Sequence, residues 1–144
     1  MLQEGPQEPH FKGGKKLCLE LLQIEWNTTT KGGTTKSFYP NIEHRLTLKI
    51  SPTPNFTTTV TGHGKINSYL HRFKTTDNPV CPCNREDQTA GHTIYRCVLH
   101  EQERNRLKAD MNSAEKWPAS KNILATKYYK HFKLFTDSIV LNKE

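Results

Sequence analysis

Cys81-Pro82-Cys83-Asn84-Arg85-Glu86-Asp87-Gln88-Thr89-Ala90-Gly91-His92-Thr93-Ile94-Tyr95-Arg96-Cys97 is the stretch on which the reading of this chain turns. It holds three of the four cysteines of the 144-residue sequence, together with a histidine. A tetrahedral zinc ion takes four such donors at ~2.3 Å from sulfur and ~2.0 Å from nitrogen. Neighbouring ligand atoms must therefore come within roughly 4 Å of one another. One residue between Cys81 and Cys83 makes that demanding, and Pro82 helps because its fixed φ holds the turn in few conformations. The polar loop Asn84 to Gly91 is long enough to return His92 to the metal, and Cys97 is expected at the first turn of the next helix. The four residues point to one structural zinc. A catalytic zinc needs an open position and a general acid or base. Here four protein ligands are available and His92-Thr93-Ile94 lacks the glutamate, while Glu86 and Asp87 read as a solvated loop.

Outward from this loop the chain reads as mostly α, a small helical domain pinned by a Cys3His zinc-knuckle-like loop with little β. Residues 1–14, rich in Pro, Gly and Gln, read as a disordered lead-in, and 15–78 as a helical spacer. Residues 79–112 form the zinc module with its following helix, and 113–144 a C-terminal amphipathic helix. In the spacer, Leu17, Leu21, Leu22, Ile24 and Trp26 recur at helical spacing and end at Gly32-Gly33. Ser37 to Pro40 reads as extended, and Leu46, Leu48 and Ile50 alternate as in one strand. Asn55 is read as the N-cap of a helix through Phe56 and Val60 that stops at Gly62-His63-Gly64. Ile66, Tyr69, Leu70 and Phe73 fall on one helical face and are expected in the core. After the loop, Leu99, Leu107 and Met111 mark a narrow apolar stripe, and Leu124, Tyr128, Phe132, Phe135 and Ile139 a stronger one.

The balance of 21 Lys and Arg against 14 Asp and Glu leaves +7, which suits a polyanionic partner such as RNA or DNA. Arg72, Lys74, Arg85 and Arg96 surround the zinc loop, and Lys127, Lys130 and Lys133 form a second stripe. Both are candidate phosphate contacts, with a solvated surface as the bland alternative. No signal peptide and no transmembrane run is evident, so the expected setting is intracellular, nucleus or cytoplasm, with thiols reduced and no membrane partner.

The ordered succession Thr61-Gly62-His63-Gly64, Tyr69-Leu70-His71-Arg72-Phe73, Pro79 to Cys83, and Asp87 to His92 with Cys97 resembles the C-terminal end of the polyprotein of insect-type non-LTR (LINE-like) retrotransposons. In that family the segment follows the reverse transcriptase and ribonuclease H domains. The resemblance covers roughly residues 11 to 144 and implies that Cys81, Cys83, His92 and Cys97 are zinc ligands. The implied parent is an RNA-directed DNA polymerase, and upstream polymerase domains are a possible partner. No YxDD-like turn and no separated acids for two magnesium ions stand in this chain, so it is not expected to be an enzyme alone. Gly33, Leu22, Gly13-Gly14 and Gly91 depart from the family pattern, and Met1 starts just before the spacer. A fragment or a decayed, non-functional remnant fits those departures. The alternative reading is a scaffold segment that braces the upstream polymerase.

Overall fold

The computed structural model describes residues 4–111 and 115–139, with side chains from Gly14 onward. Helices make up nearly all of its regular structure. They run α1 (Glu4–Thr28), α2 (Gly33–Phe38), α3 (Ile42–Thr47), α4 (Pro54–Thr61), α5 (Asn67–Arg72), α6 (Ala90–Tyr95), α7 (Glu101–Asp110), α8 (Lys121–Ala125) and α9 (Tyr129–Ser138). A 3-10 turn, Val98–His100, leads into α7. Among the described residues the β content is one antiparallel bridge, Val80 to Asp87. The mostly α reading with little β therefore holds.

The core is aromatic. Phe38 stacks on Phe132 at 5.8 Å, Phe56 meets Phe132 and Tyr129 edge-on at 5.9 and 5.3 Å, and Phe132 stacks on Phe135 at 6.2 Å. These rings bring α2, α4 and α9 together, and Ile66, Ile94, Leu107, Met111 and Leu124 close the cluster. Large rings supply much apolar area per residue, which suits a chain with few apolar residues. All five stripe residues from Leu124 to Ile139 are buried, but they are split over two helices: Leu124 in α8, Phe132 and Phe135 in α9, with Tyr128 and Ile139 flanking α9. The break falls at Thr126 to Tyr128, where Tyr128 N donates to Ile123 O at 3.2 Å. Residues 112–114 and 140–144 of the expected C-terminal segment lie outside the described residues.

Several local expectations change. Leu46 lies in α3, not in a strand, because the Asn41 side chain accepts from His44 N and starts a helix there; Leu48 is extended, and both Leu48 and Ile50 lie outside any strand and pack on the core. Ser37 and Phe38 end helix α2 instead of an extended run. Thr53, not Asn55, caps α4; the Asn55 amide donates instead to Thr136 O and Ile139 O, tying α4 to the end of α9. Helix α1 begins at Glu4, inside the stretch read as a lead-in, whose Glu, Gln and Lys residues favour helix.

Helix α1 is held differently from the rest. Its Trp26 indole donates to Tyr39 O at 2.9 Å, and the Gln23 side chain exchanges hydrogen bonds with Pro40 O and Ile42 N. Its apolar stripe stays in solvent: Leu17, Leu21, Leu22 and Ile24 are all exposed.

Candidate metal centre

The loop between Pro79 and Thr89 folds on its own backbone before any ligand is considered. Cys81 N donates to Glu86 O and Asn84 N to Cys81 O, both at 2.8 Å, and Gln88 N donates to Pro79 O at 2.8 Å. Asn84 takes a positive φ of 64°, a conformation that asparagine tolerates better than most residues. This tight turn directs the Cys81 and Cys83 thiols to one side. Thr89 then caps α6 by accepting from His92 N, so His92 sits on the first turn of that helix, 1% exposed. Cys97 follows just after α6, its N–H donating to His92 O at 2.8 Å. It stands immediately before the 3-10 turn, not within the first turn of a helix as the sequence suggested.

These elements bring Cys81 Sγ, Cys83 Sγ, the His92 ring nitrogen and Cys97 Sγ within 4.8 Å of one another. Cys81 Sγ lies 3.7 Å from Cys97 Sγ, and Cys83 Sγ lies 3.3 Å from His92 Nε2. Ligand atoms of a tetrahedral ion at ordinary bond lengths stand about 3.5–3.8 Å apart, so the donor set fits one metal ion. Burial pushes the Cys81 thiol up to about 12, against the pull of the Cys83 backbone N–H and with the Cys97 thiol adding to the rise. Buried thiolates packed this closely need a cation to be stable, and a bound metal supplies it.

Two residues support the cluster: Glu86, which the sequence reads only as solvated loop, and Arg104, which it does not single out. Glu86 Oε2 approaches His92 Nδ1 to 3.3 Å, close enough to favour the tautomer that leaves Nε2 free for a metal, though not aligned as a hydrogen bond. Glu86 is in turn held by Arg96 Nε at 2.9 and 3.1 Å. Arg104 is the second. It is buried on α7 and donates to the carbonyls of Ile94 at 2.6 Å, Thr93 at 3.1 Å and Cys97 at 2.8 Å. It clamps the end of α6, with Cys97, onto α7. The spacing Arg104, Leu107, Met111 places it on the buried face of α7, and this was the available signal.

The basic candidates do not form one patch. Arg72, Lys74 and Arg85 are exposed, but Arg96 is engaged by Glu86. Lys127 pairs with Glu115 at 2.7 Å, and Lys133, half-buried, lies over the Tyr129 ring. Lys130 is exposed and carries no ion pair among the described residues. Among those residues no helix is long and apolar enough to cross a membrane.

A retrovirus-related Pol polyprotein from the type-1 retrotransposable element R1 of Bradysia coprophila is 29% identical over 84 residues, 58% of this chain and 8% of that protein. The polyprotein of element R1 2 of Nasonia vitripennis is 26% identical over 87 residues, 60% of this chain and 21% of that protein. The R1 polyprotein of Popillia japonica is 40% identical over 48 residues, 33% of this chain and 20% of that protein. The homologues of this chain are insect R1-type Pol polyproteins. The similarity to R1 Pol is modest and partial, and the chain spans no more than about a fifth of the length of these relatives. It bears out the retrotransposon resemblance drawn from the TGHG, YLHRF and Cys3His strings. No protein-family model matches the chain. No solved structure matches it either.

Proposed function

We propose that this chain is a zinc-stabilised segment of an R1-type Pol polyprotein that binds element RNA or target DNA through phosphates and is not catalytic alone. The observation that carries the reading is the convergence of three thiols and one imidazole within 4.8 Å, around a loop that carries exposed Arg85 and is preceded by exposed Arg72 and Lys74. Three soft thiolates with one imidazole favour zinc over harder cations. With all four positions taken by protein, the ion serves folding and leaves no place for a reacting water. Once the loop is fixed, its cations are held at a defined spacing for a phosphate backbone. The excess of positive charge favours encounter with any polyanion, so little base specificity is expected from these contacts.

The test is a salt titration of affinity for RNA and DNA with the metal-loaded chain. Arg72, Lys74, Arg85 and Lys130 as phosphate contacts give a log–log slope of about −3 to −4. An affinity that does not fall as salt rises contradicts the reading.

One observation favours a second reading, a segment that braces other parts of the polyprotein. The α1 stripe of Leu17, Leu21, Leu22 and Ile24 is apolar, helical and open to solvent. Concentration-dependent association of the isolated chain, with no nucleic-acid affinity, is the result that reading expects.

A further inference from the structure

The Thr61-Gly62-His63-Gly64 turn and helix α5 build a second surface, distinct from the metal ligands. Gly62 ends α4 at φ 70°, and a Cβ there would stand 2.9 Å from Thr34 Oγ1. Gly64 takes φ 117°, and a Cβ there would stand 2.9 Å from Thr58 Oγ1. Both positions require glycine, and the turn they fix sets His63 against Tyr69. The His63 ring stacks on Tyr69 with centroids 4.7 Å apart and planes at 29°. Tyr69 continues to Phe73 at 4.8 Å, and the Arg72 guanidinium lies 5.5 Å from one ring and 5.4 Å from the other.

The sequence placed Tyr69, Leu70 and Phe73 in the core with Ile66. Ile66 is buried, yet Tyr69 and Leu70 are only half-buried and Phe73 is 61% exposed. Helix α5 is six residues long, too short to carry the whole face inward. The outcome is a row of rings facing water in a chain that buries Phe38, Phe56, Phe132 and Phe135. His63, Tyr69, Arg72 and Phe73 line a groove of about 580 Å³. Thr30 to Gly32 and the start of α2 at Gly33 and Thr34 also line it, and its lining carries Lys31 and Arg72 with no acidic side chain.

We infer that this groove stacks the bases of an unpaired RNA or DNA strand on the Tyr69 and Phe73 rings, with Arg72 and Lys31 on the adjoining phosphates. This inference rests on the nucleic-acid reading above and adds to it a preference for single strands. Rings accept any base face, and cations beside them meet the backbone, which is the chemistry of sequence-tolerant single-strand binding. Duplex bases are stacked on each other and cannot reach such rings. The threonine hydroxyls and cations of the groove suit a polyanion better than an apolar helix. The surface is also anchored to the metal loop: Asn67 N donates to Gln88 Oε1 at 2.7 Å, and the Asn67 amide to Val80 O at 2.8 Å.

The experiment measures fluorescence anisotropy of labelled oligo(U), oligo(dT) and a duplex DNA with the full metal-loaded chain, compared with Phe73→Ala and Phe73→Trp. Phe73 is exposed, so Phe73→Ala keeps its circular dichroism spectrum. It is expected to bind the single strands roughly 5- to 150-fold more weakly, with duplex affinity unchanged and Phe73→Trp restored. The stronger of the two single-strand arms assigns RNA or DNA. Normal single-strand binding by Phe73→Ala, or an equal loss on duplex, overturns the stacking groove and leaves the phosphate reading standing. No binding of any probe by the unaltered chain overturns both.

Discussion

Between Pro79 and Cys97 the chain buries Cys81, His92 and Cys97 with Gln88 and Thr93, and Ala90 and Ile94 are its buried apolar residues other than cysteine. The cluster of Phe38, Phe56, Phe132 and Phe135 buries four large rings within a few ångströms of each other. The two regions are stabilised by different physics. A ring fully buried contributes through area removed from water, on the order of 2–3 kcal/mol apiece, and needs nothing from outside the chain. The loop has hydrogen bonds of its own, but its buried donor atoms crowd one another. Structural zinc in small peptides is worth on the order of 10 kcal/mol, so a bound ion would dominate the loop's stability. A thin aromatic core and a loop whose donor set could hold an ion thus stand side by side within one chain.

Arg104 joins the two regions, and Arg104→Ala is the change that most directly breaks the contrast. It leaves the carbonyls of Thr93, Ile94 and Cys97 without their donor in a buried site. The expected loss is about 3 kcal/mol in chemical denaturation, accompanied by weaker metal retention. A loss of stability with metal retention unchanged would mean that Arg104 serves the core alone.

Gly91→Ala sharpens the comparison with a smaller effect of opposite sign. Gly91 lies inside α6, not in a loop, and a Cβ there meets nothing nearer than Lys121 Nζ at 3.9 Å. Alanine should raise stability by about 0.5–1 kcal/mol in the same denaturation experiment. A decrease would show that the metal loop needs freedom at this position.

The Cys3His cluster was legible because the identity and spacing of its residues are local: a cysteine pair, a returning histidine and a cysteine after one short helix. The buried C-terminal stripe was legible for a similar reason, since five residues at three- and four-residue steps survive a break in the helix. The strand at Leu46 to Ile50 was misread because alternation over five residues also fits the end of a short helix followed by extended chain, and the Asn41 cap decides it. Phe73 was misread because periodicity says which residues share a face, not whether another element arrives to cover it. The same holds for α1, whose stripe is helical as expected and yet exposed. The spacing with Leu107 and Met111 marks Arg104 as buried but does not say which carbonyls it meets, and the approach of Glu86 to His92 depends on how the loop folds back onto α6.

The central claim is that one zinc ion pins the Cys81, Cys83, His92 and Cys97 loop. The most direct measurement is native mass spectrometry of the purified chain with circular dichroism before and after chelation, alongside Cys83→Ser. The account predicts one zinc per chain, with helical signal lost on chelation and zinc absent or weakly held in Cys83→Ser. A chain that carries no metal and keeps its full spectrum in chelator would contradict it.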